Sequence, residues 1–330
     1  MKRFEVIILS QVEIYQILGG APVAVNGQNG HAYFEGKIVP LSEAKISIAT
    51  HAFNYGTAVF GGLRGYWNEE AKRLFVFRPF DHYRRLLLSG RMMLMETPHD
   101  EESLIQITLE LLRMDNWQRD VYIRPLLYKA TEGIGVRLHD LKDETCIYIL
   151  PFEAYLKNDD NLHVTVSSWR RVDDNVIPAR GKVSGAYANS ALIKTDAARS
   201  GFDEALVLDQ NGHVSEGSAM NVFIVRNGTL ITPPVSDNIL EGITRRSIIE
   251  LAKNELGLEV VERSVDRTEV TISEEAFMTG TAAQVAAITK VDHRPVGNGK
   301  MGPITSRLRN MFDDITRGKN PKYAKWNLEV

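Results

Sequence analysis

The sequence contains very little cysteine, no excess of either charge and no long uninterrupted hydrophobic run. Its one cysteine, Cys146, has no partner for a disulfide within the chain, which favours a reducing, cytoplasmic location. The 39 Lys and Arg residues nearly balance the 42 Asp and Glu residues. Nucleic acid and membranes are therefore not expected as partners, and no segment reaches the roughly 18 apolar residues that cross a bilayer. These absences indicate a soluble, globular enzyme or binding protein.

Residues 1–30 are expected to form an extension outside the folded domains. The apolar run near the start is interrupted by Glu5, Gln11 and Glu13, so it lacks the continuous hydrophobic region of a signal peptide. A segment rich in Gly, Pro and Asn follows, which is typical of turns and linkers. No function is assigned to this extension.

The remaining length is typical of about two domains of mixed α+β type. Residues 31–152 combine strand patterns, such as residues 121–126, with helical patterns, and predict a small α+β domain built on an antiparallel sheet. The polar segment 153–161 is the predicted interdomain linker. Residues 162–330 contain two Asn-Gly turns between apolar runs, at Asn211 and Asn227, which predict hairpins. We expect a larger, β-rich domain with helices packed on it.

Two charged residues of the second half lie among small residues. Lys182, expected on a strand, is preceded by Gly181 and followed by Val-Ser-Gly-Ala. These mostly small residues leave room for a planar ligand beside an amine that desolvation would make nucleophilic. Most lysines, however, are simply solvated. Glu216, in the sequence Val-Ser-Glu-Gly-Ser, could hold a cationic ring nitrogen or merely cap a turn.

Two further segments could bind an anion. Gly242, Ile243 and Thr244 open a predicted helix, whose first amides and dipole favour an anion; Thr244 could equally be an ordinary N-cap. Residues 278–283, Met-Thr-Gly-Thr-Ala-Ala, offer amides and a hydroxyl in a small-residue turn, or form a plain tight turn.

Residues 51–66, HAFNYGTAVFGGLRGY, closely resemble the opening motif of the branched-chain amino acid aminotransferases. Shorter motifs follow in that family's order: YIRPL at 122–126, VSEG at 214–217, GITR at 242–245 and GTAA at 280–283. The resemblance covers residues 31 to 330. It implies a class IV aminotransferase of pyridoxal-phosphate fold type IV, with the two-domain D-amino-acid-aminotransferase-like fold and pyridoxal 5′-phosphate as cofactor.

The resemblance implies a role for each matching residue. Lys182 matches the catalytic lysine that binds the cofactor covalently, Tyr187 the phenol at the cofactor 3′-oxygen, and Glu216 the acid at its ring nitrogen. The phosphate is expected to be held by Arg85, Gly242, Ile243, Thr244 and Thr281. The substrate is expected to contact Tyr55, Phe60, Arg64, Tyr122, Arg124, Tyr155, Thr281 and Ala282. No metal is expected.

The reaction implied is a ping-pong transamination between Leu, Ile or Val and 2-oxoglutarate, giving branched 2-oxo acids and L-glutamate. One pocket must then accept an apolar side chain and a carboxylate, which a buried arginine between aromatic walls can achieve. The family also implies a homodimer, and higher assembly is left open.

Two other activities of the same fold remain open: a D-amino acid or (R)-amine transaminase, and an aminodeoxychorismate lyase. A non-catalytic binder of phosphate ligands is a poor fit with an intact Lys182. The chain departs from the family's usual pattern at Gly61, where an acid is common, and in the segment 133–140, which adds Arg137 and His139. These departures suggest a relaxed range of amine donors.

Overall fold

The computed structural model describes residues 30–152, 156 and 158–330. The predicted extension up to residue 29, and Tyr155 in the predicted linker, lie outside the described residues. The helices are α1 (His51–Tyr55), α2 (Pro79–Met92), α3 (Glu101–Asp115), α4 (Tyr187–Arg199), α5 (Ile243–Asn254), α6 (Arg267–Thr271) and α7 (Pro303–Thr316).

The strands form two sheets. The first half contributes β1 (His31–Phe34), β2 (Lys37–Pro40), β3 (Ala58–Phe60), β4 (Leu63–Asn68), β5 (Arg73–Phe77), β6 (Val121–Lys129) and β7 (Asp143–Pro151). The second half contributes β8 (Leu162–Arg170), β9 (Glu204–Leu208), β10 (Val214–Gly217), β11 (Asn221–Arg226), β12 (Thr229–Thr232), β13 (Val260–Glu262), β14 (Glu275–Gly280), β15 (Gln284–Val291), β16 (Arg294–Pro295) and β17 (Asn327–Glu329).

The first sheet is antiparallel in all its pairs, in the order β17-β5-β4-β6-β7-β1-β2, with β3 paired to β6. Helices α2 and α3 cover it: Tyr83 and Leu104 share one buried cluster with Leu63 and Ile123 of the strands. Helix α3 begins with a capping box in which Asp100 and Ser103 bond each other's backbone. The prediction of an antiparallel α+β unit in the first half is therefore confirmed.

The second sheet is mixed, in the order β10-β9-β8-β15-β14-β11-β12-β13, with β16 paired to β15. Its pairs β8–β9, β8–β15 and β12–β13 are parallel. Both predicted hairpins form. Asn227 and Gly228 join β11 to β12 with positive φ angles of 50° and 75°, the conformation for which Asn-Gly is favoured.

A shared apolar core joins the two sheets. Tyr66 and Phe77 of the first sheet lie in one buried cluster with Phe277 of the second sheet and with Leu308 and Phe312 of α7. The rings of Phe77 and Phe312 meet edge-on, with centroids 5.2 Å apart. This packing fixes the position of the sheets relative to each other, and therefore the shape of any site between them.

Two local predictions were wrong, and one alternative is excluded. Lys182 is not on a strand: it lies in an irregular segment between β8 and α4, next to the isolated bridge between Val183 and Val59. Residues 278–280 belong to β14, so the predicted turn begins at Thr281. Gly242, rather than Thr244, is the N-cap of α5.

The final strand departs from the predicted domain of residues 162–330. Strand β17 pairs with β5 of the first sheet, with Leu328 opposite Val76. The domain boundaries themselves remain a prediction. Over the described part of the chain, no helix has both the length and the apolar character needed to cross a membrane.

Candidate active site

A cavity of about 1380 Å³ lies between the two sheets and beside the start of α4. Ligand pockets commonly measure about 300–1,000 Å³, so this one has room for a cofactor together with a small substrate. Most of the predicted site residues line it: Phe60, Arg85, Tyr122, Arg124, Lys182, Tyr187, Glu216, Gly242, Ile243, Thr244, Thr281 and Ala282. The fold therefore brings together residues that are far apart in the sequence.

The Lys182 amine lies in the cavity, 2.5 Å from the Tyr187 hydroxyl. Its backbone is held on both sides, because the Phe60 amide donates to the Lys182 carbonyl at 3.0 Å and the Lys182 amide donates to Ser89 Oγ at 3.2 Å. Burial, and then the positive charges of Arg85 and Arg124, hold the pKa of Lys182 well below its usual value. More of this amine is therefore unprotonated near neutral pH, as a nucleophile or a base requires.

The small residues after Lys182 serve close packing of two chain segments. The Gly185 amide donates to the Gly56 carbonyl at 3.1 Å, and a Cβ on Gly56 would lie 2.8 Å from Gly185 Cα. Tyr187 begins α4 immediately after this contact. Burial, and then the nearby charge of Glu216, raise the pKa of Tyr187, so its phenol stays protonated at neutral pH.

Glu216 lies on β10, directly after an irregularity in its pairing with β9; such bulges reorient side chains near functional sites. One carboxylate oxygen is 2.9 Å from a guanidinium nitrogen of Arg171. The other accepts hydrogen bonds from the Leu240 amide at 3.1 Å and from the Asn221 side chain at 3.4 Å. The carboxylate is thus buried, satisfied and fixed at the cavity wall.

The N-terminus of α5 forms another part of the wall. Gly242 is its N-cap and no side chain caps the helix, so the amides of the first turn, at Ile243 and Thr244, can bind an anion in the cavity. Arg85 of α2 donates to the Glu241 carbonyl at 3.0 Å, which adds a positive charge at the same end. A Cβ on Gly242 would lie 2.0 Å from Asn221 Oδ1, so only glycine fits there without a shift.

The turn after β14 forms a further wall with Thr281 and Ala282. Within the described residues the Thr279 hydroxyl of β14 is buried without a hydrogen-bond partner, and Thr279 also lines the cavity. The Ala282 carbonyl accepts from Arg64 at 3.4 Å, which supports the turn from behind. This wall presents polar backbone and hydroxyl groups to a ligand.

An aromatic wall with one embedded charge also lines the cavity. The Arg124 guanidinium lies 4.5 Å from the centre of the Phe60 ring and donates to the Tyr122 hydroxyl at 3.2 Å. Its Nε atom is buried and has no hydrogen-bond partner among the described residues. The wall can therefore contact an apolar side chain and also bind a carboxylate.

Two of the predicted substrate residues, Tyr55 and Arg64, do not line this cavity. Tyr55 does not line the cavity among the described residues; its hydroxyl accepts from the Gly135 amide at 3.1 Å. Arg64 is buried behind the wall, where it donates to Asp120 and to the Phe152 carbonyl, each at 3.3 Å. Tyr155 lies outside the described residues.

Sequence reasoning missed Arg171 and Asn221, which hold Glu216. Arg171 stands in the irregular segment after β8, and Asn221 follows the VSEG motif by only a few residues. The proximity of Asn221 to that motif was a usable signal. No signal in the sequence linked Arg171 to Glu216, because their contact depends on how the segment after β8 folds back.

The residues present fit pyridoxal 5′-phosphate. The cavity offers a nucleophilic amine at Lys182 for an aldehyde, a buried carboxylate at Glu216 for a protonated ring nitrogen and a phenol at Tyr187 for a ring oxygen. The start of α5 with Arg85 suits a phosphate.

Comparison with known proteins gives the same result. The family profile described as amino-transferase class IV matches residues 59–291. A probable branched-chain-amino-acid aminotransferase of Aquifex aeolicus is 49% identical over 299 residues, 91% of this chain and 96% of that protein. A branched-chain-amino-acid aminotransferase of Pseudomonas aeruginosa is 36% identical over 92% of this chain and 98% of its own length.

Solved structures match the whole fold. A branched-chain aminotransferase from Thermoproteus uzoniensis, crystallised with norvaline, superimposes with a TM-score of 0.88, at 38% identity over 92% of this chain and 99% of that chain. A branched-chain amino acid aminotransferase from Thermobaculum terrenum, in its PLP-bound holo form, gives 0.87 at 38% identity over 91% of this chain and 98% of that chain. These likenesses confirm the predicted fold type IV. The chain therefore belongs to the class IV aminotransferases, which depend on pyridoxal 5′-phosphate, and within them to the branched-chain amino acid aminotransferases.

Proposed function

We propose that this protein transfers the amino group of L-leucine, L-isoleucine and L-valine to 2-oxoglutarate, giving branched 2-oxo acids and L-glutamate. The observation that carries the proposal is the Arg124 guanidinium packed against the rings of Phe60 and Tyr122, in the cavity that also holds the Lys182 amine, which lies 4.9 Å from the centre of the Phe60 ring. That wall suits both an isobutyl-type side chain and the distal carboxylate of 2-oxoglutarate. The names of the relatives support the same substrates.

Lys182 is proposed as the catalytic base. When bound, pyridoxal 5′-phosphate supplies a ring that accepts the electrons released at the substrate Cα. The Lys182 amine would take the proton from the substrate Cα in the half-reaction of the amino acid and give a proton to Cα in the half-reaction of the 2-oxo acid, and its lowered pKa suits both transfers. Glu216, held by Arg171, would keep a positive charge at the ring nitrogen, and Tyr187 would donate a hydrogen bond to the ring oxygen.

The phosphate is proposed to lie between Arg85 and the start of α5, with Gly242, Ile243 and Thr244 supplying backbone amides. The Thr281 hydroxyl is proposed as a further phosphate donor. The amides at Thr281 and Ala282 are proposed to bind the substrate α-carboxylate. Arg64 then acts as a positioning residue, because it supports the Ala282 carbonyl from behind. Direct substrate contacts of Tyr55 and Tyr155 remain predictions.

The packing around position 61 suits glycine better than the acid that is common in the family. A Cβ there would lie 2.6 Å from Pro125 Cγ, so the acid expected in the family requires Pro125 to move. Arg137 is exposed, with Asp140 4.0 Å away. From these two departures we propose a relaxed range of amine donors. If the Arg137→Ala variant is as active as the wild type, or more active, on every non-branched donor, Arg137 has no role in this range.

The protein is proposed to act as a cytoplasmic homodimer. Two neighbouring segments expose large apolar side chains: Ile48 and Phe53 in one, and Ile134 and Val136 in the other. The segments are joined because the Gly133 amide donates to the Ala49 carbonyl and His51 Nε2 lies 2.7 Å from the Gly135 carbonyl. An exposed apolar surface of this kind is typical of interfaces. Sedimentation should give twice the chain mass, and a monomer at assay concentrations contradicts the proposal.

The test is transamination of L-Leu, L-Ile, L-Val, D-Ala and (R)-1-phenylethylamine with 2-oxoglutarate, measured as L-glutamate formed. The three branched L-amino acids should react fastest, and Lys182→Ala should be inactive while Lys290→Ala, an exposed lysine, retains activity. Preferred turnover of D-Ala or the amine would favour the alternative transaminase. Consumption of L-Leu without 2-oxoglutarate, followed as loss of L-Leu, would contradict a transaminase.

A further inference from the structure

Two buried carboxylates and one histidine meet outside the active-site cavity. They are Asp209 and His213, in the turn between β9 and β10, and Asp237, in the loop before α5. One nitrogen or oxygen of each lies within 4.8 Å of those of the other two. Asp209 is 1% exposed and Asp237 is 6% exposed, so two carboxyl groups lie close together where water has little access.

Asp237 carries the clearest sign of a missing partner. Its Oδ2 atom is buried and has no hydrogen-bond partner among the described residues. Over the same residues, no Lys or Arg nitrogen lies within 4.0 Å of the carboxylate of Asp209 or Asp237; His213 is the one basic group that close to Asp209. A buried carboxylate oxygen without a donor is costly, and a bound cation would satisfy it.

The other two residues are already oriented for binding. The Asp209 Oδ1 atom accepts hydrogen bonds from the amides of Asn211 at 2.9 Å and His213 at 2.8 Å, while Oδ2 accepts one long hydrogen bond, from the Asn211 side chain at 3.4 Å. His213 Nδ1 lies 4.0 Å from Asp209 Oδ2, while Nε2 lies 3.8 Å from Asp266 Oδ1. A carboxylate behind a histidine is the usual support of a metal-binding imidazole, and Asp266 lies near that position, although beyond hydrogen-bond distance.

We propose that Asp209, His213 and Asp237 bind one zinc ion, with water as the remaining ligand. Zinc accepts imidazole nitrogen and carboxylate oxygen at about 2.0–2.2 Å, whereas Mg²⁺ and Ca²⁺ prefer oxygen ligands alone. Two ligand atoms of one tetrahedral zinc lie roughly 3.4 Å apart at these bond lengths, so the present separations of up to 4.8 Å must shorten. The His213 side chain is 37% exposed and can rotate toward the two carboxylates.

The ion would join two segments that hold the acid of the active site. The turn at 209–213 leads into β10 and Glu216, and the loop containing Asp237 leads to Leu240, whose amide binds Glu216. The role of the ion is therefore structural. Residues 214–215 separate His213 from Glu216, and residues 238–239 separate Asp237 from Leu240.

The test uses the holoenzyme, first dialysed against a chelator to remove metal and then given zinc. Competition with a coloured zinc indicator measures the affinity, and elemental analysis measures the zinc bound per chain. The wild type should bind about one zinc per chain. His213→Ala and Asp237→Asn should each weaken binding at least about tenfold. His31→Ala is the matched control, because His31 also pairs with a buried aspartate, Asp115 at 2.6 Å, but forms no such cluster among the described residues.

Thermal unfolding separates a metal site from a structural role of the same residues. Zinc at 100 times its dissociation constant should raise the melting temperature of the wild type by about 5 °C. Asp237→Asn should melt higher than the wild type without zinc, because the unpartnered charge is gone, and should not respond to zinc. If the wild type and both variants bind zinc equally, or if the wild type binds no added zinc, the proposal is overturned.

Discussion

At the scale of single residues, Glu216 is the group whose charge the proposed reaction depends on most. Glu216→Gln keeps the shape but loses the charge that pairs with Arg171 at 2.9 Å. We expect kcat to fall at least about 100-fold, the size typical of losing one preorganised electrostatic group, while the cofactor stays bound through its phosphate. Steady-state kinetics and cofactor absorbance measure the two effects.

The matched control for this change is Glu275→Gln. Glu275 is also a buried carboxylate, but it binds the first amides of α7, at Ile304 and Thr305, away from the cavity. This variant should lose stability and keep its turnover number. Wild-type turnover by Glu216→Gln would mean that another acid faces the ring.

Burial of Lys182 predicts a specific dependence of stability on pH. Its folded pKa lies well below the unfolded value of 10.5, so between these values the unfolded chain binds more protons and stability rises with pH. In the cofactor-free protein, Lys182→Met should therefore melt higher than the wild type. That advantage should be largest at or below the lowered pKa and should disappear as pH approaches 10.5.

Melting temperatures of both cofactor-free proteins, taken from about pH 6 to pH 10, give the difference directly, because all other titrating groups are shared. A difference that stays constant over this range would show that the amine has an ordinary pKa in the folded protein.

At the scale of secondary-structure elements, the start of α5 is the most sensitive point. Gly242→Ala places a Cβ 2.0 Å from Asn221 Oδ1, which must displace either the helix start or the side chain that holds Glu216. We expect cofactor affinity to fall at least about tenfold, equivalent to about 1.4 kcal/mol. Equilibrium dialysis of the cofactor measures it.

Gly280→Ala is a matched control for this change. Gly280 also lines the cavity, but a Cβ there would meet its nearest neighbour, Met220 Cγ, at 3.4 Å, an ordinary contact. Its cofactor affinity should remain within about twofold of the wild type, since no atom has to move. Equal losses in both variants would argue against a special role of the helix start.

The elements that could be predicted are those whose signals are local. The Asn-Gly turns at 211 and 227 require only neighbouring residues, and each forms as expected. Lys182 was assigned to a strand from its neighbours, but it lies in an irregular segment because Val183 and Gly185 are bound to β3 and Gly56. Contacts between distant segments leave no local pattern.

The candidate site follows the same division. Lys182 and Glu216 stand in motifs that carry a resemblance, and the fold places both at one cavity. Arg171 lies on no motif, and its ion pair with Glu216 depends on a segment that returns across the second sheet. Arg64 looked like a substrate residue from its motif, but β4 directs it behind the wall toward Asp120.

At the scale of the whole molecule, β17 stabilises the first sheet, whose other strands lie between residues 31 and 151. Leu328 pairs opposite Val76 and packs against the first core, and the Val330 amide donates to the Leu74 carbonyl at 3.1 Å. Deleting residues 327–330 should lower the free energy of unfolding by on the order of 3 kcal/mol, from about 1 kcal/mol for each of several lost hydrogen bonds. Urea unfolding measures this.

Lys325→Ala is the companion variant, since Lys325 is exposed just before the strand. It should unfold within about 0.5 kcal/mol of the wild type. A deletion as stable as this variant would mean that β17 contributes nothing to the sheet in solution.

The return of β17 to β5 also has a consequence for biosynthesis. The ribosome makes β5 early and β17 late, so β5 keeps an edge of unpaired backbone groups while the intervening chain emerges. Such an open edge can pair with a neighbouring nascent chain. Chaperone protection of this polypeptide is therefore needed longest at its earliest sheet, and translation that stalls before residue 327 leaves an aggregation-prone product.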